Sequence, residues 1–221
     1  MTSHRGGSRR RRPVLLPVTA LLAATGLAVS AALGGFDEAP KPAPESLGKG
    51  GVLDQERIST EFQDAVVRPG GQGIGVSDKR YLQIHLRVTN LSDETVSAFS
   101  MIDSTMLAVR TDGKTIMTSG QTGANGPRIG IPIDGRVFDQ LHPRVPTPVV
   151  VAIELPADGT PPHEVRIDAG TFELRNSFFT DTPEWSVVQE STLPVEGESN
   201  ARSVKKVAAT VTLPVRVEAG G

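Results

Sequence analysis

Alternating apolar and polar residues mark the clearest element of the chain. In "YLQIHLRVTNLSDETVS", residues 81–97, the apolar side chains Leu82, Ile84, Leu86 and Val88 are separated by polar ones. A period of two is typical of a β-strand with one buried face. The run stops at Asn90-Leu91-Ser92-Asp93, residue types that favour a turn. The pattern predicts a half-buried strand over residues 80–90.

Further segments of strand character follow at short spacing. We predict strands at 57–67, 95–99, 105–110, 115–118, 147–156, 163–169, 172–179 and 205–219. The apolar run 147–156 lacks alternation, which indicates a central strand. In 57–67 the alternation through Ile58, Thr60 and Phe62 should continue at Asp64 or Val66. About nine short strands with frequent turns predict an all-β fold, an antiparallel β-sandwich of immunoglobulin-like type.

Glycine and proline indicate where the strands end. Asp112-Gly113 predicts a hairpin turn, since both residues tolerate a positive φ. The Gly- and Pro-rich segment 119–136 should be irregular. Pro214 lies on the polar face of the last strand and cannot donate to a ladder, so this strand should be at an edge or bulged there.

The N-terminus carries an export signal. Residues 13–35 contain no charge, Arg9 to Arg12 precede them, and Asp37-Glu38 follow. About 20 apolar residues span a bilayer, and the basic flank stays in the cytoplasm. The segment is either a retained transmembrane helix or signal anchor, which its length favours, or a cleaved signal peptide with small residues near 28–32 for the protease. Both alternatives place the rest of the chain outside the cytoplasm.

The expected organisation therefore has four parts. Residues 1–12 form a basic cytoplasmic tail, 13–35 the transmembrane helix or signal anchor, 36–51 a proline-rich solvated linker, and 52–221 an extracytoplasmic β-sandwich domain. Residues 34–221 hold 18 basic and all 25 acidic residues, a net charge of −7. This acidic body argues against nucleic-acid binding. The chain has no cysteine, which excludes disulfides, thiolate metal sites and a lipid attached through cysteine.

An ordered set of short motifs resembles a known bacterial family. The set comprises Val88-Thr89-Asn90-Leu91-Ser92-Asp93, the Asp112-Gly113 turn, Leu141-His142-Pro143, and a strand from Val149 to Pro156. It is similar to secreted or membrane-tethered immunoglobulin-like domains typified by a mycobacterial secreted immunogen, most of them of unknown function. The match covers about residues 57–156. The resemblance implies an immunoglobulin-like sandwich and brings no catalytic residues.

The sequence offers little reactive chemistry. Its four histidines lack the spacing of a zinc site, and Gly-x-Ser-x-Gly is absent. The glycines of "GGQGIG" precede a strand, whereas a phosphate loop precedes a helix. We expect no enzymatic activity, no cofactor and no metal. Two alternatives stay open: a metal-dependent hydrolase assembled from Asp103, His142, His163 and Asp181, and a calcium site among acidic loop residues, namely Asp93, Glu94, Asp103, Asp134, Asp139 and Asp181.

An aromatic cluster gives the best candidate for an interaction surface. "NSFFTDTPEW", residues 176–185, holds Phe178, Phe179 and the only tryptophan, Trp185. Adjacent phenylalanines on a strand point to opposite faces, and aromatic residues are favoured at interface centres. The competing interpretation is that Trp185 and one phenylalanine are core residues. The expected function is protein recognition or structural support at the membrane, as an accessory subunit of a membrane complex. A secreted ligand-binding protein is the alternative, and the sequence leaves the oligomeric state open.

Overall fold

The computed structural model describes residues 42–70, 79–103, 105–117, 126–156, 159–177, 180–192 and 202–218. All of these residues except 42 and 43 belong to a compact unit that runs from Pro44 to Gly221. The predicted membrane segment 13–35 lies outside the described residues, and so do Phe178 and Phe179. No helix within the described ranges is long and apolar enough to cross a membrane.

The described part of the chain forms seventeen short strands and one short helix. In chain order they are β1 (Glu45–Leu47), β2 (Val52–Asp54), β3 (Ile58–Pro69), β4 (Arg80–Asn90), β5 (Val96–Ser97), α1 (Ala98–Ile102), β6 (Leu107–Thr111), β7 (Lys114–Met117), β8 (Arg128–Ile133), β9 (Arg136–Phe138), β10 (Gln140–Leu141), β11 (Pro146–Leu155), β12 (Glu164–Ala169), β13 (Phe172–Asn176), β14 (Pro183–Val187), β15 (Gln189–Thr192), β16 (Arg202–Lys205) and β17 (Ala209–Val217). The prediction of a mainly β fold is confirmed.

Two sheets form a β-sandwich, and β17 contributes to both. The first has the order β7-β6-β12-β17-β1, and the second has the order β2-β3-β4-β11-β8-β9. Three further pairs, β5–β10, β13–β14 and β15–β16, are two-stranded. Most of the strand pairs are antiparallel, as predicted, but β17 pairs in parallel with β1 and with β3.

The strand β17 changes sheets at Pro214. Its first part pairs with β12 up to Pro214, which lies opposite Glu164. From Val215 onward it pairs with β3 at Ala65. Proline has no N–H to donate, so it is suited to a position where a strand exchanges partners. The predicted edge or bulge at this residue is therefore a crossover between the sheets.

The core lies between the two sheets and is built from the inward residues of each strand. All four apolar residues of the opening pattern, Leu82, Ile84, Leu86 and Val88, are buried, as predicted. They belong to one buried cluster with residues of the other sheet, including Val165, Ile167, Val211 and Leu213. β11 lies between β4 and β8, so the prediction that residues 147–156 form a central strand is confirmed. Burial of such side chains contributes about 1.5–3 kcal/mol each and is the main stabilising term of the fold.

The predicted alternation of β3 does not continue past Phe62, because a β-bulge follows that residue. The pairing of β3 with β4 shifts by one residue between Phe62 and Asp64. Ile58, Thr60 and Phe62 are buried before the shift, but Ala65 and Val67 are the core residues after it. An extra residue reverses the side-chain alternation. Asp64 therefore lies on the outer face, where it accepts hydrogen bonds from Arg216 and Lys49.

Three segments differ from the predicted elements. The strand predicted at 95–99 is limited to Val96–Ser97, because α1 begins at Ala98. Part of the segment 119–136 that was predicted to be irregular forms β8, which pairs with β11. Within the predicted linker 36–51, β1 pairs with β17, and the folded unit begins at Pro44.

Candidate interaction surfaces at the proximal end

The register of the strands defines the end of the sandwich at which the folded unit begins. Glu45 of β1 pairs with Ala209 at the start of β17. Because β17 and β3 are parallel, Ile58 at the start of β3 lies at the same end. Ile58 pairs with Asn90 at the end of β4, beside which β11 begins at Pro146. We call this the proximal end, and the opposite end, which includes the Asp112-Gly113 turn, the distal end.

An apolar groove opens at the proximal end where β8 separates from β11. β8 pairs with β11 only through residues 128–130, and the β8–β9 hairpin then continues alone. The space of about 350 Å³ is lined mainly by apolar side chains, namely Ile131, Ile133, Phe138, Val145, Pro146 and Pro148. Gln140, His142 and Thr147 add polar groups to its wall. Pockets of this size and character bind apolar ligands or side chains.

Exposed apolar residues concentrate around this groove. Nine large hydrophobic residues of the described chain are exposed. Five of them lie on the β8–β9 hairpin or next to it, namely Phe99, Ile133, Val137, Phe138 and Val145. Ile133, Phe138 and Val145 line the groove together, whereas Val137 pairs with Pro132 on the opposite face of the hairpin and Phe99 belongs to α1. Isolated exposed apolar residues are ordinary, but a group such as the three lining residues marks an interaction surface. We refer to the groove and these five residues as the groove surface.

Asp139 fixes the start of α1, which carries Phe99 of the groove surface. Its carboxylate accepts hydrogen bonds from Ser97 Oγ at 2.6 Å and from the backbone N–H of Phe99 at 2.8 Å. Its carbonyl oxygen also accepts from the N–H of Ala98 at 2.8 Å. These bonds satisfy N–H groups at the start of α1, where helices lack internal partners. They hold the backbone of Phe99 next to Asp139, which follows Phe138 in the chain.

Close backbone packing shapes the β8–β9 hairpin. The Asp134-Gly135 turn has positive φ at both residues, 48° and 75°, as a two-residue hairpin turn requires. The side chain of Val137 covers Gly130 so closely that a Cβ at Gly130 would overlap Val137 Cγ1. Gly130 therefore permits this packing, which sets the position of β9.

The ribbon β13–β14 forms the second candidate surface. Phe172 and Val187 pair at its base, where Phe172 is buried in the core. Leu174 and Trp185 are the next pair on the same face. Trp185 packs partly against the core, whereas Leu174 is 55% exposed. The apolar face thus extends outward from the core, and we call the Leu174–Trp185 pair the ribbon surface.

Arg57 connects the ribbon surface to the proximal end. Its guanidinium carbon lies 5.9 Å from the centroid of the Trp185 ring, at the limit of a cation–π contact. The carbonyl oxygen of Arg57 accepts from the N–H of Leu91, just after β4. Burial lowers the pKa of Arg57, and the nearby charge of Glu94 acts in the opposite direction. The guanidinium of Arg57 thus places a cationic group at the edge of the apolar ribbon surface.

The structure places one of the three predicted surface residues. Trp185 lies on β14, where it is partly buried and packs against the core. Phe178 and Phe179 fall outside the described residues. Leu174 was missed, although its position opposite Trp185 follows once the ribbon is known. The groove surface was also missed, because most of it comes from segments without a strong strand pattern.

Three of the acidic residues considered for calcium or hydrolysis make contacts within the protein. Asp93 forms an ion pair with Arg144 at 3.6 Å, and the other two accept backbone hydrogen bonds. Asp103 accepts from the N–H groups of Thr105 and Met106, and Asp139 caps α1. His142 Nδ1 lies 3.1 Å from Thr95 Oγ1. In the described parts of the chain, no group of three His, Asp or Glu residues is arranged to hold a metal ion.

A charged depression occupies the distal end. It measures about 280 Å³ and is lined by Arg110, Asp112, Gly113, Glu164 and Arg166. Arg110 is ion-paired with the buried carboxylate of Asp168, which also accepts from Thr210 Oγ1 at 3.1 Å. The two arginines and two carboxylates of the lining offset each other in charge. This balance gives no preference for a charged ligand.

No family model matches the chain, and no curated protein matches it. Solved structures similar to it include the following two. One is an uncharacterized β-sandwich protein from Clostridium difficile, with a TM-score of 0.40 and 11% identity over 60% of this chain and 91% of that one. The other is a putative lipoprotein from Staphylococcus aureus, with a TM-score of 0.38 and 10% identity over 78% of this chain and 96% of that one. Both similarities are weak, so the fold is assigned from the strand pairing.

Proposed function

We propose that the chain is an N-terminally anchored, extracytoplasmic, immunoglobulin-like β-sandwich that recognises a membrane-protein partner without catalysing a reaction. The ribbon surface is the proposed recognition site. The observation that carries this proposal is the exposure of Leu174, at 55%, on the same face as Trp185. An apolar face that emerges from a core needs a partner to become fully buried.

The proposed location follows from the charge pattern of the N-terminus. Arg9 to Arg12 precede the uncharged segment 13–35, which orients the N-terminus toward the cytoplasm. The folded unit then lies on the extracytoplasmic side of the membrane, where it can meet the extracytoplasmic part of a membrane protein. The first experiment determines the N-terminal sequence and membrane partition of the mature protein from its own cells. An intact N-terminus in the membrane fraction supports anchoring, whereas a new N-terminus near residues 31–35 in the medium supports a released ligand-binding protein.

A second experiment tests recognition by the ribbon surface. Leu174→Asp places a charge on the exposed residue and leaves the core untouched, so the domain should stay folded. We expect this variant to lose the partner that co-purifies with the native protein in mild detergent. Thr115→Asp, on the exposed face of β7, is the matched control and should retain the partner. Equal recovery of the partner with both variants would refute the ribbon surface as the recognition site.

A further inference from the structure

We propose that the groove surface lies against the lipid bilayer, as a lipid-contacting surface separate from the ribbon surface. The inference rests on the anchoring part of the proposed function and is independent of partner recognition. It assigns the lipid contact to the groove and to its exposed lining residues Ile133, Phe138 and Val145.

The distribution of exposed apolar residues is the first argument. Five of the nine large exposed hydrophobic residues in the described chain belong to the groove surface. Ile133, Phe138 and Val145 are each about half exposed, and all three also line the groove. Contiguous exposed apolar residues of this kind mark protein or membrane interaction sites.

The course of the chain is the second argument. The folded unit begins at Pro44, and Glu45 is paired at the proximal end, where the groove also opens. Residues 36–43 are the eight residues that separate this unit from the uncharged segment ending at Gly35. Eight extended residues span at most about 28 Å. A bilayer that holds residues 13–35 is therefore within short reach of the proximal end.

The backbone at the groove favours lipid over an added peptide strand. An extended peptide would have to pair with the part of β11 that β8 leaves free, beginning at Pro146. Pro146 and Pro148 have no N–H to donate, so this edge cannot form a regular ladder. Acyl chains require no hydrogen bonds and fit an apolar groove of this kind.

The charged residues near the groove indicate whether lipid contact should depend on the headgroup charge. Arg136 and Arg144 lie beside the groove residues, but Asp134 is in the same hairpin turn and Asp93 pairs with Arg144 at 3.6 Å. These charges cancel, so attraction to anionic headgroups is not the driving force. We expect apolar contact that persists with zwitterionic lipid and at high salt.

Site-specific fluorescence tests the proposal, because a chain without cysteine accepts a single probe. Full-length Phe138→Cys and Val145→Cys are labelled with an environment-sensitive dye and reconstituted into phosphatidylcholine vesicles with and without nitroxide-labelled lipid. Thr115→Cys near the distal end is the matched control. We expect a blue shift and strong quenching at positions 138 and 145, and neither at 115. Adding Ile133→Asp to the labelled Val145→Cys protein should reduce the quenching several-fold.

The outcomes separate this inference from the proposed function. If positions 138 and 145 are unquenched while the protein co-sediments with the vesicles, the groove does not contact lipid and the inference is overturned, although the anchor stands. If the protein does not co-sediment, anchoring and the inference both fail. Shielding of position 138 in native membranes but not in pure lipid would show that a protein covers the groove, which also overturns the inference.

Discussion

Asn90 donates its side-chain amide to the carbonyl oxygen of Leu141 at 3.0 Å, within the interior of the domain. The same amide donates to the carbonyl of Glu94 at 2.7 Å, and Asn90 Oδ1 accepts from the N–H of Ser92 at 3.0 Å. Asparagine provides a donor and an acceptor on one short side chain. It therefore closes the turn after β4 and joins that turn to β10, beside the groove.

Asn90→Ala should destabilise the domain strongly. The substitution removes the buried amide bond to the carbonyl of Leu141 and the second bond to the carbonyl of Glu94, which keeps only Ser92 Oγ at 3.2 Å as a donor. A buried group left unsatisfied costs about 1–3 kcal/mol. We expect a loss of about 2–4 kcal/mol in the free energy of unfolding, measured by urea denaturation. Ser92→Ala retains both amide bonds and should cost about 1 kcal/mol. Equal losses for the two variants would contradict the role assigned to Asn90.

Gly130→Ala should disturb the β8–β9 hairpin. The added Cβ would overlap Val137 Cγ1 and stand 3.1 Å from the carbonyl oxygen of Phe138. Overpacking of this kind costs about 1–3 kcal/mol, which thermal or urea unfolding would detect. Gly48→Ala, whose Cβ would meet nothing within 4 Å, is the control and should be close to neutral. Shortening Val137 to Ala in the Gly130→Ala protein should recover part of the loss, and no recovery would locate the strain elsewhere.

Lys205 should make stability depend on alkaline pH. Burial lowers its pKa to about 8, although Asp168 acts in the opposite direction, and Nζ donates to the carbonyls of Met106 and Asp168. Below pH 8 the lysine is protonated in both states. Between pH 8 and the ordinary value of 10.5 the unfolded chain binds more protons than the native state, so the free energy of unfolding rises with pH.

Comparison of two lysine variants isolates this effect. Lys205→Met should lack the rise, which amounts to at most about 1.4 kcal/mol per pH unit for one proton. Lys206→Met removes an exposed neighbour and should keep it. Urea unfolding at pH 7, 8, 9 and 10 measures the difference. Parallel stability curves for both variants would show that Lys205 does not carry the pH dependence.

Arg57 and Trp185 should be coupled energetically. Their separation of 5.9 Å is at the upper limit of a cation–π contact, so we expect a coupling of about 0.5–1 kcal/mol. A double-mutant cycle with Arg57→Met and Trp185→Leu, followed by urea unfolding, measures it. The methionine keeps the apolar stem of the arginine, so a coupling of zero would mean that Arg57 contributes packing alone.

The local elements were predictable where the residue pattern alone decides them. The alternation from Leu82 to Val88 and the Asp112-Gly113 turn both have the predicted structure, with φ of 49° and 73° in the turn. The bulge after Phe62 was not predictable, since an extra residue in a ladder is defined by the partner strand. Trp185 was identified as a surface candidate, but its contact with Arg57 joins residues that are far apart in the chain.

The sequence by itself determined that this chain forms β-strands, where the strands with a clear alternation or apolar run lie, and that an uncharged segment precedes them. Those properties depend on side-chain period, turn residues and charge, which act over a few neighbouring positions. The tertiary structure alone decided that β17 crosses from one sheet to the other at Pro214 and that β8 separates from β11 to open the groove. Both features depend on which strands pair, because long-range pairing balances core packing over the whole domain and no single segment encodes it.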